Sequence, residues 1–202
     1  MTPESVLSTA ELKSFLSVIE TSFAIRRHDD LFRWLSKDVQ GFLPHEILIA
    51  AWGDFSLGIV HLDVISQLPG LRTTEIDKQN LLPLLSGLFS HWIESERSPF
   101  IVSFHDGKAM PSIVYRKTEF SDAITDVRSS LIQAIKDERG RQDCLYVALS
   151  AKYGRFDERS VLFMKLLTPY FDSALRQVSL LPIQYFDTTT GVNDNREDMT
   201  TS

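Results

Sequence analysis

Two neighbouring segments with different apolar patterns constrain the fold of this 202-residue chain more than any other feature. Residues 47–52, ILIAAW, are apolar at every position, as is typical of a strand buried on both faces. Residues 57–66, LGIVHLDVIS, alternate instead, which places the polar His and Asp on one face of a second strand. Gly53 and Asp54 between them are a turn signal. The two segments therefore predict a β-hairpin whose first strand lies inside a sheet.

Two helices are expected before this hairpin. Ser8 and Glu11 have the spacing of a capping box and precede apolar residues at helical intervals. Asp29 is the expected N-cap of a second helix, which ends at Pro44.

The rest of the chain continues the mixture of helices and strands. The expected elements are a helix at 77–95, strands at 99–105 and 111–115, a hairpin of 129–136 with 144–150, and a long amphipathic helix at 157–180. Taken alone, residues 129–136 fit a helix equally well. The order predicts an α/β (α+β) fold with an antiparallel sheet of five or six strands and helices on both faces. This arrangement resembles GAF and PAS sensor modules, which implies a small-molecule pocket on one face and the terminal helices on the other.

Composition and length limit the class of protein. Lys and Arg number 21 against 27 Asp and Glu, a net charge of −6 that disfavours nonspecific binding to nucleic acid. The single cysteine, Cys144, excludes an intrachain disulfide, so we expect a reducing, cytoplasmic location. No apolar run approaches the ~20 residues of a membrane-spanning helix. We expect one domain at residues 9–181, followed by an acidic, disordered tail at 182–202.

The sequence lacks the common motifs of catalytic and metal-binding sites. The five histidines lack HxH and HxxxH spacing, and the chain contains neither a GxSxG elbow nor a glycine-rich phosphate loop. We therefore expect a noncatalytic protein with no catalytic residue, no metal and no cofactor.

Candidate ligand-binding residues cluster around the first hairpin. They are Trp52, Asp54, Phe55, His61, Asp63, Arg72 and Thr73. His61 and Asp63 share a strand face and could orient a polar group of a ligand, although a solvated sheet edge explains them as well. Asp54 is also typical of a closing turn, and a loop Arg such as Arg72 often pairs with a surface carboxylate.

The last helix has more apolar positions than one narrow stripe needs. Part of it is expected to cover the sheet, and the remainder to pack on a twin helix in a homodimer. The candidate interface residues are Leu166, Tyr170, Ala174 and Val178. The alternative is that the whole apolar surface belongs to the core of the domain.

A family resemblance rests on residues 31–55 and 62–73 and extends over about residues 12–181. The elements that carry it are Trp34-Leu35, Gln40, Leu43-Pro44-His45, Ala51-Trp52-Gly53-Asp54-Phe55, Pro69-Gly70 and Arg72-Thr73. They resemble the N-terminal region of EpsA-type regulators, which are LuxR-family transcription factors associated with exopolysaccharide and exosortase loci. The resemblance implies a cytoplasmic regulatory sensor for exopolysaccharide biosynthesis.

The sequence departs from that family in two respects. It contains no helix-turn-helix, so we expect contact with DNA only through such a domain outside these residues. Lactone receptors of the LuxR family carry an Asp-Pro pair at the pocket, whereas Val64 follows Asp63 here and Phe55 follows Asp54. Lactone binding is therefore not expected.

Two alternatives to a sensor remain. One is a dimerisation or protein-interaction module without a ligand. The other is a sensor-fold enzyme, for which Asp54, His61, Asp63 and His105 would have to converge in a cleft.

Overall fold

The computed structural model describes residues 7–66, 73, 78–103, 127–138, 142–150 and 154–179. Within them, five strands form one antiparallel sheet in the order β2-β1-β5-β4-β3. The strands are β1 (Ile47–Asp54), β2 (Ile59–Ser66), β3 (Phe100–Ser103), β4 (Ser129–Ile135) and β5 (Asp143–Ser150). The longer helices are α1 (Thr9–Ser22), α2 (His28–Arg33), α3 (Lys78–Glu94) and α4 (Glu158–Ser179).

This architecture confirms the predicted α+β fold, with an antiparallel sheet of five strands and helices on both faces. Both hairpins form, and residues 129–136, which also fitted a helix, contain strand β4. The expected strand at 111–115 and the expected tail at 182–202 lie outside the described residues. No helix in the described part of the chain is long and apolar enough to cross a membrane.

Helices cover both faces of the sheet. We call the side packed against α3 the α3 face; its buried residues include Ile49, Leu145 and Val147. We call the opposite side, packed against α1, α2 and α4, the α4 face; it includes Cys144 and Tyr146. β5 lies at the centre of the sheet, and all of its residues are buried.

The second helix is shorter than predicted. Its N-cap is Arg27, not Asp29, and no side chain caps it. After Arg33 the chain continues as a π-helical turn, Trp34–Asp38, and a 3-10 turn, Val39–Gly41. Trp34 is fully buried and donates its indole N–H to the carbonyl of Val18 across 2.9 Å. This tertiary contact accompanies the departure from α-helical geometry in the segment, which the local pattern could not indicate.

α1 and α4 lie side by side and run in the same direction. Near their first turns, Arg159 Nη2 of α4 lies 2.6 Å from Glu11 Oε1 of α1. At the other end, Arg26 Nη1 donates to Gln177 Oε1 across 2.7 Å. These two contacts join the first and last described helices into one unit on the α4 face.

Candidate functional site

The structure divides the predicted ligand-binding residues between the two faces of the sheet. Trp52 and His61 are cross-strand partners on the α4 face, with ring centroids 5.8 Å apart and an interplanar angle of 25°. Asp63 shares that face and is half-buried, whereas His61 is exposed. These three residues therefore lie on the side of the terminal helices.

Asp54 belongs to the turn that joins β1 to β2. Its Oδ1 accepts hydrogen bonds from the backbone N–H groups of Ser56 and Leu57, at 3.0 and 3.1 Å, and from the Ser56 hydroxyl. The Ser56 hydroxyl contributes most to lowering the pKa of Asp54. The turn was expected at Gly53-Asp54, but β1 continues through Asp54 and the turn follows it. The carboxylate therefore stabilises the connection between the strands.

Phe55 faces the other way and packs against α3. Its ring stacks on Phe89 with centroids 4.3 Å apart and an angle of 16°. On the same side, Lys136 Nζ lies 5.7 Å from the centroid of Phe89 and 2.8 Å from Asp143 Oδ2. Phe55 is thus the one member of the predicted set that the described structure places on the α3 face of the core.

Thr73 supports the edge of the sheet. Its hydroxyl oxygen accepts a hydrogen bond from the backbone N–H of Val64 across 2.8 Å. β2 is an edge strand, so this contact satisfies a donor that β1 cannot reach. Arg72 lies outside the described residues.

Sequence reasoning missed Ser130, which is fully buried in β4. Ser130 is paired with Val102 and Leu149, both of which pack on the α3 side of the core. Its hydroxyl has no hydrogen-bond partner within the described structure. An unsatisfied buried hydroxyl typically costs about 1–3 kcal/mol. Once the segment is assigned as a strand, the two-residue period places Ser130 on the same face as Ile132.

Two nearby serines provide a comparison for Ser130. The hydroxyl of Ser129, its neighbour on the α4 face, accepts a hydrogen bond from the backbone N–H of Phe156 at 3.3 Å. Ser150 also has a buried hydroxyl without a partner in the described regions, but it pairs with Ser129 on the α4 face. Of the two, Ser130 is therefore the one whose unpartnered hydroxyl lies on the α3 face of the described structure.

A hydrogen bond between two buried side chains joins α3 to β4. Trp92 donates its indole N–H to Oε1 of Gln133 across 2.9 Å, and both side chains are buried. The ring of Trp92 also lies 5.9 Å from that of Phe89. This contact extends the aromatic layer begun by Phe55 and Phe89.

Cys144 does not have the properties of a nucleophile. Burial raises the pKa of its thiol far above the ordinary range, and the neighbouring carboxylate of Asp172 raises it further. Within the described ranges, no three His, Cys, Asp or Glu side chains come close enough to hold a metal ion. His105, which the enzyme alternative required, lies outside those ranges.

The candidate dimer residues of α4 also divide into two pairs. Ala174 and Val178 are fully buried within the domain and therefore contribute nothing to its outer surface. Leu166 and Tyr170 are half-buried. A dimer contact through α4 therefore has only Leu166 and Tyr170 of the four.

Comparison with known proteins leaves the family open but identifies the fold. No protein-family model matches the chain. The crystal structure of the N-acylhomoserine-lactone-dependent LuxR family transcription factor CepR2 from Burkholderia cenocepacia is 9% identical, with a TM-score of 0.54 over 82% of this chain and 92% of that chain. The ligand-binding domain of VqsR from Pseudomonas aeruginosa is 14% identical, with a TM-score of 0.51 over 86% of this chain and 100% of that chain.

A GAF domain gives a similar match. The GAF domain of a phosphoenolpyruvate-protein phosphotransferase from Coxiella burnetii is 13% identical, with a TM-score of 0.51 over 82% of this chain and 92% of that chain. Structural matches at such low sequence identity establish a shared fold alone. The chain therefore has the fold that GAF domains share with the ligand-binding domains of LuxR-type regulators.

Proposed function

We propose that the chain is a noncatalytic, cytoplasmic sensor domain of a LuxR-type regulator, and that it binds a small molecule against the α3 face. The observation that carries the proposal is the buried Ser130 hydroxyl, which lacks a partner among the described residues. A ligand that hydrogen-bonds to Ser130 would recover the free energy that this hydroxyl loses on burial. The shared architecture with CepR2 and VqsR supports the same reading.

The surroundings of Ser130 indicate the chemistry of the ligand. Val102 and Leu149 flank it in the sheet, and Phe55 and Phe89 lie on the same side of the core. One hydroxyl in an apolar setting can satisfy one polar group, but it cannot compensate the burial of a full charge. We therefore propose a neutral, mainly apolar ligand with one carbonyl or hydroxyl at Ser130.

The ligand is proposed to differ from a homoserine lactone. CepR2 is described as dependent on N-acylhomoserine lactone. In this chain neither Asp54 nor Asp63 precedes a proline, and Asp54 is engaged by the turn at Ser56. The Asp-Pro pair of lactone receptors therefore has no counterpart at these two positions.

Calorimetry and thermal unfolding of the full chain test the proposal with three probes. They are a medium-chain methyl ketone, the carboxylate of the same chain length, and N-octanoyl homoserine lactone. We expect the ketone to bind and to raise the melting temperature, because binding to the folded state alone stabilises it. The carboxylate is expected not to bind, and the lactone to bind no better than the ketone. Binding of none of the three would favour an interaction module without a ligand.

Two matched variants assign the binding to Ser130. Ser130→Ala is expected to weaken ketone binding about tenfold and to stabilise the free domain by about 1 kcal/mol, since it removes an unsatisfied hydroxyl. Ser129→Ala removes a satisfied hydroxyl, so it should destabilise the domain and leave binding unchanged. If Ser130→Ala leaves the affinity unchanged, Ser130 is not the contact.

The regulatory role is proposed from the resemblance of residues 31–55 and 62–73 to EpsA-type regulators. Ligand binding would act on exopolysaccharide genes through a helix-turn-helix outside these residues. Deletion of the gene in its source bacterium, with exopolysaccharide measured before and after complementation, tests this role. Complementation by wild type but not by Ser130→Ala would link the Ser130 site to exopolysaccharide production. An unchanged amount of exopolysaccharide after deletion of the gene would contradict the proposed role.

A further inference from the structure

The β1–β2 hairpin carries an exposed patch on the α4 face of the sheet. We call Trp52, Ile59 and His61 the hairpin patch. His61 stacks on Trp52 across the two strands, and Ile59 lies two residues before His61, so the three side chains share one face. Ile59 is 61% exposed, His61 is exposed and Trp52 is half-buried. Exposed apolar surface of this kind typically receives another segment or a partner.

α4 ends beside the hairpin patch. Its residue Asp172 accepts from Cys144 at the start of β5, and Cys144 is the β5 partner of Trp52. One turn later, Arg176 Nη2 donates to the carbonyl of Gln142 across 3.1 Å. The last turn of α4 therefore lies over the start of β5, one strand away from Trp52 and two strands away from His61.

The residues that follow α4 are suited to cover an apolar surface. Residues 180–186, LLPIQYF, include five apolar side chains and no charge. In residues 187–202, by contrast, only Val192 and Met199 are apolar. Pro182 lacks a backbone donor and disfavours helical geometry at Leu181, so the sequence does not favour a longer α4. The segment 180–186 therefore needs an apolar contact close to the end of α4.

The hairpin patch lies within reach of this segment. Two strand spacings, from β5 to β2, amount to about 10 Å. The four residues from Leu180 to Ile183 span up to about 14 Å when extended. Because Gln177 accepts from Arg26 across 2.7 Å, the start of the segment is held in place.

We propose that residues 183–186 dock on the hairpin patch in an extended conformation. Ile183 and Tyr185, two residues apart, would face Ile59 and the Trp52–His61 pair. The free part of the acidic tail would then begin at residue 187 and leave the domain at the hairpin. The contact does not depend on the proposed ligand, which lies on the other side of the sheet.

Acrylamide quenching of tryptophan fluorescence in the full chain tests the contact. The chain has three tryptophans, and Trp34 and Trp92 are only 1% and 3% exposed, so quenching reports mainly on Trp52. The double variant Ile183→Ser/Tyr185→Ser, which we call the segment variant, should raise the quenching constant about twofold, because it removes the apolar burial that holds the segment.

Two controls assign the effect to this segment and to Trp52. Val192→Ser/Met199→Ser also removes two apolar side chains, but from residues 187–202, and should be quenched like wild type. Trp52→Phe should abolish the difference between the wild-type segment and the segment variant. Each variant is first shown to retain the far-ultraviolet circular dichroism of wild type.

A substitution in the hairpin tests the other side of the contact. Ile59→Ser should raise the quenching constant as the segment variant does. Adding Ile59→Ser to the segment variant should change the constant little, because both break the same contact. Ile93→Ser is the matched control, since Ile93 is 39% exposed on α3, on the opposite side of the sheet, and should be quenched like wild type.

Three results would overturn the proposal. They are equal quenching of wild type and the segment variant, additive effects of Ile59→Ser and the segment variant, and protection of Trp52 that is lost on dilution. The last result would assign the hairpin patch to a second copy of the chain. Because no ligand is present in the assay, a failure of ketone binding leaves this test unaffected.

Discussion

The thiol of Cys144 donates a hydrogen bond to Oδ1 of Asp172, with 3.0 Å between the sulfur and the oxygen. The contact joins β5 to α4. Asp172 also accepts from Arg176 Nε at 2.8 Å, and the hydroxyl of Tyr146 lies 3.4 Å from the same Oδ1. One carboxylate therefore links the central strand to the last described helix.

This link predicts the reactivity of the chain's single thiol. Native Cys144 is expected to react with Ellman's reagent at least about a hundredfold more slowly than in urea, because the buried thiol resists ionisation. Asp172→Asn should accelerate labelling, since it removes a charge that raises the pKa of the thiol. Asp157→Ala, which removes the α4 N-cap that accepts from Ser160 N–H, is the control for lost stability. If Asp172→Asn and Asp157→Ala are equally stable and their Cys144 is labelled equally fast, Asp172 has no direct effect on the thiol.

Stability is expected to depend on pH through His45. Burial lowers the pKa of His45 below 6.5, and Nδ1 donates to the carbonyl of Leu43 at 2.7 Å, which requires the Nδ1-protonated ring. The hydrogen bond to Leu43 and, more weakly, the neighbouring carboxylate of Glu46 raise this pKa, but burial outweighs both. Because the unfolded chain then binds more protons, the free energy of unfolding should decrease as pH falls below about 6.5.

Urea unfolding at pH 6.5 and pH 5 measures this effect. Linkage limits the contribution of one group to about 2 kcal/mol over that interval. His45→Asn keeps an N–H donor near Leu43 but cannot titrate, so it should lose that part of the pH dependence. An unchanged slope in the variant would show that other groups cause it.

Gly53, near the end of β1, and Gly58, in the turn that follows, should differ in their tolerance of alanine. Gly53 has φ +139°, and a Cβ there would lie 2.2 Å from the carbonyl oxygen of Ile59. Gly58 has φ +70°, with nothing within 4 Å of a Cβ. We expect Gly53→Ala to cost more than about 3 kcal/mol and Gly58→Ala about 1 kcal/mol, both measured by urea unfolding. Equal costs would mean that conformation alone, without the contact at Ile59, explains both effects.

The buried pair between α3 and β4 should show energetic coupling. Trp92→Phe removes the donor to Gln133 Oε1, which leaves a buried amide oxygen unsatisfied at a cost of about 1–3 kcal/mol in addition to lost packing. Gln133→Leu in the Trp92→Phe background should recover part of this loss. A double-mutant cycle measures the coupling, and additive effects would contradict the assigned hydrogen bond.

Features governed by local chemistry were predictable from the sequence. The capping box forms as expected, with Ser8 and Glu11 hydrogen-bonded in both directions. Asp157 caps α4, and β1 and β2 pair over the segments that their apolar patterns indicated. In each case the pattern and the structure depend on residues that are close in sequence.

Features that depend on contacts between residues distant in sequence were not predictable from the sequence. Trp52 and Phe55 were grouped in one candidate pocket, yet they pack on opposite faces, because Phe55 lies in the turn after β1 and stacks on Phe89 of α3. The burial of Ala174 and Val178 depends on the packing of α4 against the rest of the domain. The unsatisfied hydroxyl of Ser130 requires knowledge of both neighbouring strands.

Strand β5 has a role that follows from its burial on both sides. Leu145 and Val147 point to the α3 face, and Cys144 and Tyr146 point to α4. The strand thus separates the two halves of the core. One of its faces points toward the proposed ligand, and the other is hydrogen-bonded to Asp172 of α4. Because both sets of side chains extend from one backbone in a close-packed core, a ligand that shifts the backbone of β5 would also shift the side chains that pack on α4. Such a shift would reach α4 directly through the sheet, without passing through a loop.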